Sequence, residues 1–241
     1  MRSGYAEHGL AHPRLHREGD YVVSRARLLL ATNPVDAGGG VMVSATFVPQ
    51  AAYTFGESGT ATPTLSDHPA LQLYEGFASV GTSAYRLDVG RFMLDYGDAL
   101  VIGNLGWNEL GRAFNGARVR LTPLDEPIFI DAFVTLLDEG RTTSQEPVAG
   151  DTYFYGVYAG LGALIDKAID WDVYALGLSV ADNEELTVAD PMDATNTAPA
   201  DRDGATEITL GSRLRGKLAP IDYRAEAGLQ FGRRAVQPSF A

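Results

Sequence analysis

The sequence predicts an all-β protein, an antiparallel transmembrane β-barrel of the outer-membrane type, and three observations lead there. The first is alternation. In EITLGSRLRGKLAPIDYRAEAGLQFG, residues 207–232, Glu207, Thr209, Arg213, Arg215 and Lys217 share one parity while Ile208, Leu210 and Leu214 hold the other. After a hinge at Leu218, Ala219 and Pro220, Asp222, Arg224, Glu226 and Gln230 alternate with Tyr223, Ala225, Ala227, Leu229 and Phe231. A period of two yields two distinct faces only on an extended strand. The second observation is strand length and the third is an asymmetry of connections, both of which emerge on reading along the chain.

About ten strands are expected, at residues 21–31, 41–53, 70–80, 84–93, 117–122, 128–137, 152–161, 169–180, 206–217 and 221–232. Most exceed the 5 to 6 residues common in globular strands and approach the roughly 9 to 11 that cross a bilayer at a tilt. Short connections are expected at 33–40, 81–83, 123–127, 162–168 and 218–220, and long ones at 54–69, 94–116, 138–151 and 181–205. Outer-membrane barrels have this asymmetry, with short periplasmic turns and long outer loops.

Composition agrees and excludes other classes. A chain of 241 residues with 27 Gly, 12 Pro and 11 Tyr suits one large domain of strands and turns. A formal net charge of −12 opposes nucleic acid as a partner, because phosphate binding needs a basic field. The absence of Cys removes disulfides, thiol catalysis and Cys-based zinc sites. No run of about 18 apolar residues exists to form a transmembrane helix, so any crossing of a bilayer is made by strands.

The direction of the strands follows from the loop lengths. With the long connections outside, the first expected strand starts outside and the tenth ends outside, whereas an intact bacterial barrel has both ends in the periplasm. Parity therefore expects further strands on both sides of a barrel segment at 21–232, with 1–20 the remnant of an outer loop and 233–241 the start of another. Residues 1–20 contain no apolar signal-peptide core.

The segment RLDVGRFMLDYGDALVIGNLGWNELGRAFNGARVRL, residues 86–121, resembles the signature of the alginate export family of outer-membrane porins. In that signature a strand ending in Gly-Arg enters a Tyr-Gly-Asp loop, followed by a Trp and a Gly-Arg-x-Phe-Asp-Gly return into an Arg-rich strand. The matching positions are Gly90, Arg91, Tyr96, Gly97, Asp98, Trp107, Arg112, Phe114, Asn115 and Gly116, with Asn115 in place of the usual Asp. Phe92 and Met93 replace the polar residues that generally follow Gly-Arg. The resemblance implies an eighteen-stranded barrel in the bacterial outer membrane, contacting lipid, monomeric and passing an anionic saccharide such as alginate. It implies no cofactor and no metal.

The functional face is expected to be the lumen. Alternation puts Arg25, Arg27, Arg86, Arg118, Arg120, Arg213, Arg215, Lys217 and Arg224 inward, the resemblance adds Arg91 and Arg112, and Asp88, Asp131, Asp170, Asp172, Glu207, Asp222 and Glu226 are the inward acids. Without Arg112, ten cations against seven acids leave +3 in the lumen and −15 elsewhere, for a chain total of −12. A positive path between low-dielectric walls attracts anions, and the planar guanidinium pairs with carboxylates through two parallel hydrogen bonds. Strict alternation would turn Arg91 toward lipid with Leu87 and Val89; a bulge at Gly90 would turn it inward. The competing reading of the Arg set is a ladder of cross-strand ion pairs that stabilises the wall without touching solute.

Other constellations carry less. His8, His12 and His16 are spaced as ligands on a helix, but Pro13 breaks that helix. The acidic run 182–203 reads as a solvated loop, Gly160 and Gly162 lack the third Gly of a dinucleotide loop, and no GxSxG motif is present. Trp107, with Tyr153 and Tyr155, reads as loop packing or an interface belt. No catalytic activity is expected. A loop-plugged binding or structural barrel, or a soluble carbohydrate-binding β-barrel, are the alternatives to a channel.

Overall fold

The computed structural model describes residues 22–55, 70–106, 110–123, 128–138, 151–162, 169–180, 187–190, 193–199 and 205–233. They form β1 (Val22–Arg27), β2 (Leu30–Ala31), β3 (Val35–Gly38), β4 (Val41–Phe55), β5 (Ala70–Gly81), β6 (Tyr85–Phe92) and β7 (Phe114–Leu121). There follow β8 (Phe129–Asp138), β9 (Thr152–Gly160), β10 (Ile169–Val180), β11 (Thr187–Asp190), β12 (Asp193–Pro199), β13 (Ala205–Leu218) and β14 (Ile221–Arg233). All pairings are antiparallel, and twelve strands share one sheet along the path β1-β4-β5-β6-β7-β8-β9-β10-β13-β14, with β2 and β3 also on β4. The path ends at β1 and β14, which do not pair with each other, so the sheet is not closed.

Each expected strand is present, most with ends within one or two residues of the alternation boundaries. Two expectations are corrected. The strand expected at 21–31 is broken into β1 and β2 and continues as β3 beyond Pro34, which has no N–H to donate to a ladder; the turn into β4 shortens to Gly39 and Gly40. The connection at 181–205 contains the β11–β12 hairpin, a separate two-stranded sheet whose Thr, Val and Ala residues lack the apolar alternation of the main strands.

The register sorts the side chains onto two faces. Asp88 is opposite Arg118, and Arg120 opposite Asp131; Asp131 is in turn opposite Tyr158, and Tyr158 opposite Tyr174. These residues share one face. The other parity carries Tyr85, Val89, Val119, Leu121, Val134, Val157, Leu210, Leu214, Leu229 and Phe231, all exposed. Burying apolar area stabilises by about 25 cal/mol per Å², so a continuous exposed apolar face is far from its preferred environment in water.

Residues 93–106 and 110–113, between β6 and β7, fold back over the ionic face. Leu94, Tyr96 and Ile102 are buried there against Phe92, Phe114, Phe133, Tyr158, Tyr174 and Leu176. This folded-in loop also requires the sheet to curl. Ten strands laid flat at about 4.8 Å separation put β1 and β14 roughly 43 Å apart. Yet Arg25 on β1 donates to the Gly106 carbonyl at 3.5 and 3.4 Å, while Arg224 on β14 lies 3.5 Å from Asp98. The segment between Asp98 and Gly106 is not extended, because the Tyr96 N–H donates to the Ile102 carbonyl at 3.3 Å. A compact segment touching both edge strands is possible only if the sheet wraps around it.

Register in β9–β14 is held by aromatic rings lying over glycines of the neighbouring strand. Tyr155 is paired with Gly177, Tyr174 with Gly211 and Tyr223 with Gly216, and a Cβ at any of the three glycines would overlap the ring. A one-residue slip would break all these fits and exchange the two faces. The substitution Gly211→Ala is expected to displace Tyr174 and cost about 1 to 3 kcal/mol through overpacking. Thermal unfolding checks this, with Gly228→Ala, whose Cβ meets nothing closer than 3.6 Å, as the mild control.

Candidate functional site

The ionic face carries carboxylates that the fold removes from water, and an isolated buried charge costs several kcal/mol unless it is paired. Asp88 and Asp131 have no exposed side-chain area. Asp88 receives Arg118 at 2.7 Å, Arg86 at 3.1 Å and the Ser79 hydroxyl at 2.6 Å. Asp131 is gripped bidentately by Arg120, at 2.7 and 2.6 Å, and accepts the Tyr96 hydroxyl at 2.7 Å. Asp172 accepts from Arg213 and from the Tyr158 hydroxyl, each at 2.8 Å. Glu226 accepts from the Tyr174 hydroxyl at 3.0 Å, and Glu207 from the Gln230 amide at 3.1 Å. Arg118, Arg120 and Arg213 are thus tied into cross-strand ion pairs.

The loop joins this ladder through Asp98. Arg213 donates to Asp98 at 2.9 Å while also holding Asp172 at 2.8 Å, and Arg224 and Arg215 approach the same carboxylate at 3.5 and 3.8 Å. The hydrogen bond from Arg213 outweighs desolvation and, with the neighbouring guanidinium charges, holds the Asp98 carboxyl below its ordinary value of 3.8. Desolvation, then the adjacent Asp131 charge and hydrogen bond, push the Tyr96 phenol far up, so it remains a donor. Gly97, between them, has φ +60°, and a Cβ there would sit 2.8 Å from Arg213 Cδ and 3.0 Å from the Tyr158 hydroxyl. At the far end of the loop Gly111, φ +69°, comes as close to Arg27 and Tyr74.

Three guanidinium groups around one carboxylate leave donors over, since each has five N–H groups and Asp98 has two oxygens. Arg213 is buried, but Arg215 and Arg224 are 58% and 65% exposed. They face a cleft of about 710 Å³ whose wall also includes Asp98, Asp170, Lys217 and Asp222. Lys217 and Asp222 pair at 3.4 Å, both largely in solvent, an arrangement worth at most about 1 kcal/mol. Beyond the loop, toward the opposite strand ends, lies a second cavity of about 590 Å³.

The remaining expected residues fall as follows. Arg27 donates to Gln50 and lies over the Tyr74 ring, 3.4 Å from its centroid. Asp170 is opposite Arg215 in the register. Arg112 is exposed at the second cavity, its backbone N–H bonded to the Asn104 carbonyl at 2.7 Å. Trp107, the three histidines near the start of the chain and most of the acidic run lie outside the described residues.

The bulge expected at Gly90 is not found. Gly90 has φ +132°, but the register passes from Phe77↔Gly90 to Gly76↔Arg91 without a shift, leaving Arg91 on the parity of Val89. The bulge occurs instead in β5, where Val48 faces Glu75 and Pro49 faces Leu73. Arg91 is held by the Leu73 carbonyl at 2.9 Å and by Asn115 Oδ1 at 3.1 Å. The loop adds Asp98 to the ionic face, and Glu75 shares that face through its bond from the Met93 N–H, while Arg91 and Arg112 both line the second cavity.

Residues that alternation did not mark as functional are Tyr96, Tyr158 and Tyr174. Their rings stack in series, with centroids 4.3 and 5.6 Å apart, and each hydroxyl serves one inward acid. The available signal was tyrosine on the charged parity of β9 and β10. No family model, curated protein or solved structure matches the chain.

Because the folded-state pKa of Asp98 is depressed, its contribution to loop docking is present above 3.8 and is lost as pH falls through the folded value. The expected outcome is that amide exchange of residues 96–102 accelerates on acidification below about pH 4. With Asp98→Asn the segment should exchange fast at neutral pH already and lose most of the pH dependence. A second expectation concerns Asp131→Ala, which strands Arg120 and should cost about 3 to 5 kcal/mol in denaturant unfolding.

Proposed function

We propose that this chain is part of an outer-membrane β-barrel channel that passes a small anionic solute along its ionic face. The observation carrying the reading is the division of one curled antiparallel sheet into an exposed apolar face and an ionic face crossed by an inward-folded loop. In lipid the apolar face is at home and every strand N–H and C=O away from the edges is satisfied by the ladder. Aromatic residues on the outward parity support the same reading. Tyr85, Trp171 and Tyr223 lie near the turn ends of their strands, and Tyr53, Tyr153 and Phe231 near the loop ends. Trp171 and Ser179, the partner of Tyr153, are eight residues apart. At about 3.4 Å per residue and a tilt near 40° this spans roughly 20 Å, close to the apolar band of a barrel, about 25 Å.

The anionic solute follows from chemistry. Arg215 and Arg224 are exposed donors sharing one weakly bound carboxylate, so a solute carboxylate can replace Asp98 at them without leaving a buried charge unpaired. The resemblance of residues 86–121 to the alginate export porins makes an acidic saccharide the solute class. Eighteen strands and a monomeric state belong to the same proposal. The apolar packing of Leu94 and Ile102 beneath the rest of the connection favours one alternative, a barrel kept plugged by residues 93–106.

Full-length protein in planar bilayers is expected to conduct with anion selectivity. Arg215→Glu and Arg224→Glu should each lower the anion-to-cation permeability ratio several-fold; cation selectivity in the unmodified protein would overturn the channel reading, and absence of conductance would favour the plug.

A further inference from the structure

The second cavity holds chemistry that the channel reading does not use. It lies on the loop-end side of the folded-in segment, bounded by the start of β7, the end of β10 and the start of β13, whereas the Arg215–Arg224 cleft lies at the turn ends. Its volume of about 590 Å³ falls within the usual 300 to 1,000 Å³ of small-molecule sites. The floor is apolar and rigid. Ile102, Phe114 and Leu176 are buried members of the central cluster, and Phe154 packs against it with its ring 5.9 Å from Phe114 and 5.3 Å from Phe133.

Two cations and one acid line this cavity, Arg91 and Arg112 beside β6 and β7 and Glu207 on β13, and Arg91 is already held by the Leu73 carbonyl and Asn115 Oδ1. Arg112 is at its β7 side, exposed, and its guanidinium has no hydrogen-bond or ion-pair partner among the described residues. Glu207, on β13, is four sheet positions from β7 and already accepts from Gln230. Along the sheet, at about 4.8 Å per strand, β7 and β13 are some 19 Å apart. Every other cation of the inward set for which the structure gives contacts reaches a carboxylate, an amide oxygen or a backbone carbonyl. Among the described residues the Arg112 guanidinium reaches none of these.

We infer that this cavity is a binding site for a small amphipathic carboxylate, with the acid on the Arg112 guanidinium and an apolar or aromatic body against Ile102, Phe114, Phe154 and Leu176. A planar guanidinium receives a carboxylate through two parallel hydrogen bonds, and a rigid aromatic floor rewards a flat apolar body without the entropic loss of ordering side chains. The site stands apart from the channel reading. It needs neither conductance nor the Arg215–Arg224 pair.

The probe is 1-naphthylacetate, with neutral 1-naphthylacetamide as its isostere, measured by equilibrium dialysis against full-length protein in lipid nanodiscs and corrected with empty nanodiscs. The acid is expected to bind at least tenfold more tightly than the amide, Arg112→Gln to remove that preference, and Arg112→Lys to restore part of it. In the Arg215→Glu background, where the turn-end cleft no longer attracts the acid, the preference that depends on Arg112 should persist, so a failed channel experiment and a failed ligand experiment are separate results. Phe154→Ala should weaken acid and amide alike. Equal affinity for acid and amide, an unaltered preference in Arg112→Gln, or no binding above empty nanodiscs would each overturn the proposal.

Discussion

Arg213 donates to Asp98 on the loop and to Asp172 on β10 at the same time, and the arrangement of the ionic face depends on that double bond. It converts a long connection between β6 and β7 into a covering element. Without it Asp98 would have only the longer contacts from Arg215 and Arg224, and Asp172 only the Tyr158 hydroxyl. The loop also has an apolar reason to stay, through Leu94 and Ile102, but hydrophobic burial is non-directional and does not choose a register. The charged bond does. It sets where along the strands the loop crosses, and therefore where the two cavities lie.

The same economy governs the other buried acids. Asp88 and Asp131 have no exposed side-chain area, and each is met by Arg from the adjacent strand plus a hydroxyl. Such pairs add little net stability compared with apolar packing of the same volume, but breaking one leaves a charge stranded. They act as register keys. A slip by one residue would move Asp88 off Arg118 and Asp131 off Arg120 while also pulling Tyr174 off Gly211, so polar and steric terms select the same alignment. Ionic residues buried in the wall are thereby separated from those left exposed, chiefly Arg215, Arg224 and Arg112.

The strands were legible because their cause is local. Alternation in 169–180 or 207–232 requires only that one face be apolar, and the boundaries of β10, β13 and β14 follow within a residue. The bulge was not legible in the same way. Gly90 looked the natural place for it, yet the extra residue is inserted in β5 near Tyr74, because a bulge is a property of two paired strands and the partner β4 is not visible from β6. The β11–β12 hairpin was missed for the opposite reason. Its residues, TVAD and DATNTAP, carry no apolar alternation to read.

By itself, the sequence determined the all-β antiparallel class, the ten long strands and the parity of nearly every charged residue, since each follows from a period of two along a single strand. The tertiary structure alone decided that residues 93–106 and 110–113 fold inward, that Asp98 is shared by Arg213, Arg215 and Arg224, and that the Arg112 guanidinium meets no partner among the described residues. Those outcomes are contacts between residues about twenty to more than a hundred positions apart, such as Arg213 with Asp98. Parity assigns a face, whereas pairing depends on how the sheet curls and on which segment fills the space it encloses.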